Sequence, residues 1–234
     1  MLRRLADKTG EEENTAALRS STQREISKRI DAHNLQTFTT HTRDRDSVRD
    51  VARLNSLGLP NSGAWLNVLP SPSLGLHLKP AEFIVSVKYR LGLQIFPQEG
   101  VCVSCPLISD IFGDHAVSCG WGGERTYRHN LIRDVLFNTC AQACLGPTRE
   151  DRALIPGTDA RPADVYLPNW TAGQDTALDV TVINPLQQTF LNQSAANPGH
   201  ALYKAYERKM TRHGEACRMA GITFTPLPLD TFGA

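Results

Sequence analysis

The spacing of apolar and polar positions predicts helices along the first third of the chain. Residues 20–38 open with a Ser-Ser-Thr run that ends three residues before Glu25, which is a helix-start pattern. Residues 58–80 are rich in glycine and proline and predict turns. A proline then opens residues 80–95, whose apolar spacing predicts a second helix. We therefore expect a helical arm over residues 1–95.

A charged stretch within this arm, residues 40–57, admits two interpretations. It intersperses arginines with aspartates, at Arg43, Arg45, Arg49 and Arg53 and at Asp44, Asp46 and Asp50. A solvated helix with salt bridges along its surface is one interpretation and is favoured. A surface that faces phosphates is the other.

The second half of the chain alternates between helical and strand patterns. Amphipathic spacing predicts helices, and short β-branched runs bounded by Pro, Gly or Asn predict strands. In chain order the predicted elements are a helix over Tyr127–Leu145, strands at Glu150–Ile155, Asp164–Leu167 and Ala177–Ile183, a helix over Gly199–Cys217, and a strand at Ile222–Leu227. The expected topology is therefore α-β-β-β-α-β.

Two acids lie on neighbouring predicted strands. Side chains alternate along a strand, so Leu178 and Val180 point to one face while Asp179 points to the other. An acid inside an apolar strand is tolerated when it is paired or bound to a cation. Asp164 opens the adjacent strand and can meet Asp179 there. Two converging carboxylates predict a Mg²⁺ or Mn²⁺ site, and such an ion can activate water against a phosphodiester.

The last long helix supplies basic residues. A helical wheel places Leu202, Tyr206, Lys209 and His213 on one face, and Lys204, Arg208 and Arg212 on another. We interpret the second group as a phosphate-contacting stripe. Lys209, among packing residues, is either functional or a side chain whose head reaches solvent.

Four residues have the spacing of a metal knuckle. Cys102, Cys105, His115 and Cys119 form the pattern C-x2-C-x9-H-x3-C. Cysteine and histidine pairs at short spacing are typical of structural zinc sites, and four protein ligands leave no position for a substrate. A redox-active Cys102–Cys105 pair is a less favoured alternative, because no strand-turn-helix pattern surrounds it. The other three cysteines, Cys140, Cys144 and Cys217, are expected in the core.

Composition limits the class of protein. The 234 residues include 25 Lys and Arg against 24 Asp and Glu, a net charge of +1, which excludes a strongly basic nucleic-acid coat. No apolar run reaches the ~20 residues of a membrane span. The first residues also lack the apolar core of a signal peptide. We expect an intracellular protein without membrane contact.

At this point the motifs resemble the C-terminal region of site-specific non-LTR retrotransposon proteins. In that family a zinc knuckle precedes a restriction-like endonuclease of the PD-(D/E)XK type. The resemblance covers residues 95–234 and rests on the knuckle pattern, then Arg128-His129, then Arg161-Pro162-Ala163-Asp164, then Asp179. Two positions depart from the family: Ala163 is inserted before Asp164, and Thr181 stands where a lysine is usual. In the family a Lys or Tyr on the following helix is thought to compensate, and Lys209 and Tyr206 match that idea.

The resemblance implies an α+β fold in three parts: a helical arm or linker at 1–95, a zinc knuckle at 96–125, and a restriction-like core at 126–234 with a short mixed sheet flanked by helices. It implies a metal-dependent DNA endonuclease. The chain is too short to hold a reverse transcriptase domain beside the nuclease, so we expect a fragment, or a domesticated or decayed remnant, of a larger element. The implied cofactors are structural Zn and catalytic Mg or Mn. The implied partners are DNA and the RNA of the parent element, in the nucleus.

The resemblance also assigns roles to residues. Asp164 and Asp179 would hold the ion, Lys209 would position water or stabilise charge, and Glu150 is a weaker third acid. DNA contacts would come from Lys204, Arg208, Arg212, Arg128 and His129. For His129 a helix cap is the alternative, and it is slightly favoured. The alternative is a catalytically inactive, zinc-containing nucleic-acid-binding remnant.

Overall fold

A computed structural model of the chain describes residues 22–44, 47–150 and 154–234. In chain order its regular elements are α1 (Gln23–Asp44), α2 (Val48–Leu57), α3 (Pro80–Leu91), β1 (Gly100–Val101), β2 (Ile108–Ser109), α4 (Asp114–Ser118), α5 (Glu124–Gln142), β3 (Thr148–Arg149), β4 (Val165–Thr171), β5 (Gln174–Ile183), α6 (Leu191–Ala196), α7 (His200–Lys209), α8 (Glu215–Met219) and β6 (Thr223–Asp230). A π-helical turn, Met210–Gly214, joins α7 to α8.

The arm begins where the helix-start pattern predicts. The Thr22 hydroxyl accepts from the Glu25 amide, and the Glu25 carboxylate accepts from the Thr22 amide, so the two residues cap α1 reciprocally. The helix continues to Asp44, beyond the predicted end at Phe38. Ser47 then caps α2 by accepting from the Asp50 amide. The charged stretch 40–57 therefore divides between the end of one helix and a second helix.

Two of its arginines are not on a solvated face, so that interpretation is wrong for them. Arg53 is 4% exposed and donates to the Asp50 carboxylate and to the Arg90 carbonyl. Arg49 makes a two-bond contact with Asp114, at 2.5 and 2.9 Å. A guanidinium can satisfy a carboxylate through two parallel N–H groups, which favours this use of arginine. Arg45 and the side chain of Arg43 lie outside the described residues.

The main sheet has the predicted helix and strand order. Its four strands lie in the order β3-β4-β5-β6, with β3, β4 and β5 antiparallel and β6 parallel to β5. Helix α5 precedes the sheet and α7 connects β5 to β6, as the pattern predicts. The fold is thus α+β, with a short mixed sheet flanked by helices.

The bounds of all four strands of the main sheet differ from the prediction. The first strand is Thr148–Arg149, and Glu150 leaves it with a φ of 45°. The predicted strand at 150–155 is therefore wrong at residues 150, 154 and 155, and its other residues lie outside the part of the chain that the structure describes. Strand β4 runs past Pro168, because its pairing with β5 lapses between Leu167 and Thr171 and no donor is needed there. Strands β5 and β6 are also longer than predicted, at Gln174–Ile183 and Thr223–Asp230.

Both faces of the sheet are covered. Leu178 packs with Val165, Leu167 and Cys140, on the side of α5. Ala177 packs with Ala163, Cys217 and Ile222, on the side of α8. Ala163, which is 2% exposed, fills part of this second cluster.

A third apolar cluster links the arm, the knuckle and the sheet. Ala52 and Tyr89 from the arm pack with Leu186 and Phe232, and Val117 of α4 contacts the same group. The Tyr89 and Phe232 rings stack with their centroids 4.8 Å apart. The three predicted parts therefore share core contacts.

The cysteines outside the knuckle divide into two groups. Cys140 and Cys217 are buried, which confirms the prediction for them. Cys144 is exposed, so the prediction is wrong for it. It lies two residues beyond the end of α5, in a turn where its φ is 58°, and so it is not part of the helix face that packs on the sheet. Among the described residues no helix is long and apolar enough to span a bilayer.

Candidate active site and metal centre

The four knuckle residues come together in space. Their ligand atoms all lie within 4.8 Å of one another, with Cys102 Sγ 4.0 Å from Cys119 Sγ and Cys105 Sγ 3.3 Å from His115 Nε2. Tetrahedral zinc with Zn–S bonds of about 2.3 Å places its sulfur ligands about 3.7 Å apart. This Cys3His cluster could hold a zinc ion.

Local backbone structure explains the convergence. Strands β1 and β2 form a hairpin whose turn carries Cys102 and Cys105, and the Cys102 amide donates to the Leu107 carbonyl. The Asp110 carboxylate accepts from the amides of Phe112, Asp114 and His115, which fixes the start of α4 and the position of the histidine. Hydrogen bonds to the charged form lower the pKa of Asp110, although burial opposes this.

One thiol of the cluster favours its ionised form. The Ser104 amide donates to Cys102 Sγ at 3.4 Å, and this hydrogen bond lowers the pKa of Cys102 to about 6. A thiolate is the form that binds metal.

The two acids meet across β4 and β5. Val165 pairs with Leu178, so Asp164 lies opposite Asp179 at the start of β4. The Asp164 amide donates to the Leu178 carbonyl, which continues the ladder to the acid. The alternation prediction is also met, because Leu178 packs toward α5 whereas Asp179 contacts α7.

Asp179 is buried with one oxygen unpaired. Its side chain is 8% exposed, its Oδ1 lies 2.9 Å from Lys209 Nζ, and its Oδ2 is buried without a hydrogen-bond partner. Burial raises the pKa of Asp179 to about 6, and the negative charge of Asp164 adds to this, while Lys209 opposes it. A buried carboxylate oxygen without a donor is where a cation would be favourable.

Asp164 has both oxygens engaged. Its Oδ1 is 3.0 Å from His129 Nε2, and its Oδ2 accepts from the Val180 amide at 2.6 Å. Although burial acts the other way, the hydrogen bond and charge of His129 leave the pKa of Asp164 lowered. The two acids therefore have opposite pKa shifts.

Lys209 faces inward, but with different neighbours from those predicted. The buried residues of α7 are Ala201 and Ala205, one and two turns before Lys209. Tyr206 is 43% exposed and does not share that inner face. Small alanines let α7 approach the sheet closely, and the long lysine side chain then reaches Asp179.

His129 does not cap a helix. Helix α5 begins at Glu124, so His129 lies in its second turn and contacts Asp164 instead. Arg133, one turn later, pairs with Glu150, which Arg161 also contacts at 3.2 Å. Neither the His129–Asp164 contact nor the Arg133–Glu150 contact is predicted from the sequence. The four-residue spacing of His129 and Arg133 does indicate that they share one face of the helix.

The predicted DNA-contacting residues differ in availability. Arg208 and Arg212 are exposed, and neither has an ion pair within the described residues. Lys204 is paired with Glu207 at 2.7 Å. Arg128 is half-buried and donates to the Val117 carbonyl at 2.9 Å, so it links α5 to the knuckle.

A cavity of about 550 Å³ lies elsewhere in the molecule. Its walls are mostly apolar and include Tyr89, Val117 and Phe232, at the junction of the arm, the knuckle and the end of β6. Neither acid lines it, so the cavity is separate from the acidic pair.

Comparisons with known proteins identify no relative. No protein-family model, no curated protein and no solved structure matches the chain.

Proposed function

We propose that the protein is a metal-dependent DNA endonuclease, with Asp164 and Asp179 as ligands of a Mg²⁺ or Mn²⁺ ion. The observation that carries the proposal is the buried, unpaired Oδ2 of Asp179 opposite Asp164, with Lys209 2.9 Å from its other oxygen. Two carboxylates can hold a divalent cation, and a nearby lysine can stabilise negative charge, and metal-dependent phosphodiester hydrolysis uses groups of both kinds.

Each group has a distinct role in this proposal. Asp164 and Asp179 would hold the ion, which would supply an activated water and positive charge beside the phosphate. Lys209 positions the attacking water or stabilises the charge that develops. Arg208 and Arg212, exposed on α7 and the π turn, contact DNA phosphates, which favours binding of nucleic acid generally rather than one sequence. The knuckle binds zinc, which orders the segment before α5.

The proposed origin is a retrotransposon reverse transcriptase/endonuclease protein. The support is the order of motifs from the knuckle to Asp179, together with the α-β-β-β-α-β succession. RNA of the parent element is a second proposed partner, and the nucleus is the proposed location.

A second candidate function is an inactive, zinc-containing nucleic-acid-binding remnant. One observation favours it: Glu150, the candidate third acid, is already paired with Arg133 and Arg161. Thr181, in place of the usual lysine, points the same way. In this alternative the acids form a structural pair, and the DNA contacts persist without cleavage.

Plasmid nicking separates the two functions. Purified protein is incubated with supercoiled plasmid and Mn²⁺, beside Asp179→Ala and the control Asp175→Asn, which changes an acid elsewhere on β5. We expect nicking by the wild type and the control, and none by Asp179→Ala, with zinc content and circular dichroism unchanged. Equal cleavage by Asp179→Ala contradicts the proposal, and equal DNA affinity with no cleavage by any form supports the remnant.

A further inference from the structure

A histidine on α5 holds one of the two acids in place. His129 Nε2 lies 3.0 Å from Asp164 Oδ1, and the side chains of both residues are mostly shielded, at 29% and 14% exposed. Among the described side chains, His129 is the one that donates a hydrogen bond to Asp164, and the Asp179 carboxylate faces Asp164 across the two strands. This contact joins a helix on one side of the sheet to the metal pair proposed above.

The orientation of Asp164 depends on two donors. The Val180 amide fixes Oδ2 at 2.6 Å, but one donor alone leaves the carboxylate free to rotate about the bond to its β carbon. His129 fixes the other oxygen. Each carboxylate oxygen has two acceptor positions, so both donors leave a position on Asp164 for a cation.

His129 is itself held by the fold. The residue before it, Arg128, donates to the Val117 carbonyl, and Val117 lies between the knuckle residues His115 and Cys119. Helix α5 also packs through Cys140 against Val165, the residue after Asp164. The ring is therefore presented to Asp164 by a helix anchored at both ends.

From this geometry we infer that His129 is a positioning residue: its Nε2–H group orients Asp164 so that this carboxylate and Asp179 share one divalent cation. The inference rests on the proposed function. Carboxylates that bind metals are commonly held by such outer hydrogen bonds, and their loss costs about 10- to 100-fold in metal affinity or activity.

The test measures Mn²⁺ binding directly on the full, zinc-loaded chain. Mn²⁺ is a suitable probe because it does not compete with zinc for a thiolate-rich site. Isothermal titration should give about 10- to 100-fold weaker Mn²⁺ binding for His129→Leu than for the wild type. His129→Gln, whose amide can donate from a similar position, should restore most of the affinity. The control is His200→Ala, a half-buried histidine on α7.

Nicking distinguishes positioning from chemistry. For His129→Leu the Mn²⁺ concentration at half-maximal nicking should rise in step with the dissociation constant, while the rate at saturating Mn²⁺ stays within a few-fold of the wild type. Mn²⁺ affinity within twofold of the wild type, with normal zinc content and melting temperature, overturns the inference. That result leaves the nuclease proposal intact if Asp179→Ala still abolishes nicking.

A measurement on the wild type covers the case in which His129→Leu does not fold. With ¹⁵N-labelled histidine, the His129 ring resonances should shift as Mg²⁺ is added, and the shifts should saturate with the Mg²⁺ dissociation constant that calorimetry gives for the wild type. Ring resonances that do not move while Mg²⁺ binds overturn the inference.

Discussion

The ammonium nitrogen of Lys209 lies 2.9 Å from Asp179 Oδ1, across the interface between α7 and the sheet. The lysine side chain is 20% exposed and the aspartate side chain 8%, so the pair is largely removed from solvent. Lys209 therefore occupies one oxygen of Asp179, and the other oxygen is left for a cation.

Lys209→Met should separate metal binding from catalysis. The variant keeps an unbranched side chain that is one atom shorter and removes its charge, so a cation bound by Asp179 loses a nearby like charge. We expect nicking at saturating Mn²⁺ to fall by about 10²-fold or more, with Mn²⁺ affinity at pH 8 equal to or tighter than that of the wild type. Titration calorimetry and plasmid nicking measure the two effects, and full nicking by the variant removes Lys209 from the mechanism.

The exposed arginines of the π turn and α7 should dominate salt-dependent DNA binding. Arg208→Ala combined with Arg212→Ala removes two phosphate contacts, so the slope of log affinity against log salt should fall by about 2. Lys204→Ala is the matched control, because Glu207 already neutralises that lysine. Fluorescence anisotropy at several salt concentrations gives the slopes. An unchanged slope for the double arginine variant would place the DNA on another surface.

The acidic pair could be predicted from the sequence because it depends on local geometry. Strand alternation fixes the face of Asp179, and the short connection between β4 and β5 brings Asp164 opposite it. The ligand spacing of the knuckle is equally local. To predict these features it is enough to know the two-residue period of a strand and the length of the connecting turn.

The remaining contacts depend on how distant elements pack. Glu150 leaves its strand with a positive φ, and its arginine partners come from α5 and from the segment before β4. The wheel placed Lys209 inward but could not show that Ala201 and Ala205, rather than Tyr206, form the contact surface. The contact between His129 and Asp164 depends on how α5 crosses the sheet, and no local sequence pattern predicts that crossing.

Asp230 should make stability depend on pH. It ends β6, is 5% exposed, and accepts from the Phe232 and Ala234 amides through Oδ1, while Oδ2 is buried without a partner. Burial raises the pKa of Asp230 above 3.8, and the amide hydrogen bonds only partly oppose it. The folded state thus favours the protonated form, and this contribution to stability is lost as the pH rises through the raised pKa.

Asp230→Asn should remove that dependence. The melting temperature of the variant minus that of the wild type should increase between about pH 4 and pH 7. Asp175→Asn is the opposite control, because hydrogen bonds from the Tyr166 hydroxyl and the Asn169 amide lower the pKa of Asp175. Its stabilising contribution is lost as the pH falls, so its difference from the wild type should become less negative at low pH. The same slope for both variants contradicts the assignment.

Loss of metal from the knuckle should destabilise the whole chain and not only the segment around the four ligands. Helix α4 contains the ligand His115 and ends immediately before the ligand Cys119. It also carries Asp114, which pairs with Arg49, and Val117, which packs into the cluster shared with the arm and the sheet. Cys119→Ser should therefore lower the free energy of unfolding by about 3 kcal/mol or more. Cys144→Ser changes an exposed thiol outside the cluster and should leave both zinc content and stability unchanged. Denaturant unfolding followed by circular dichroism, with zinc measured by elemental analysis, checks both variants. A Cys119→Ser protein that loses zinc but unfolds at the wild-type denaturant concentration would show that the knuckle and the sheet are energetically independent.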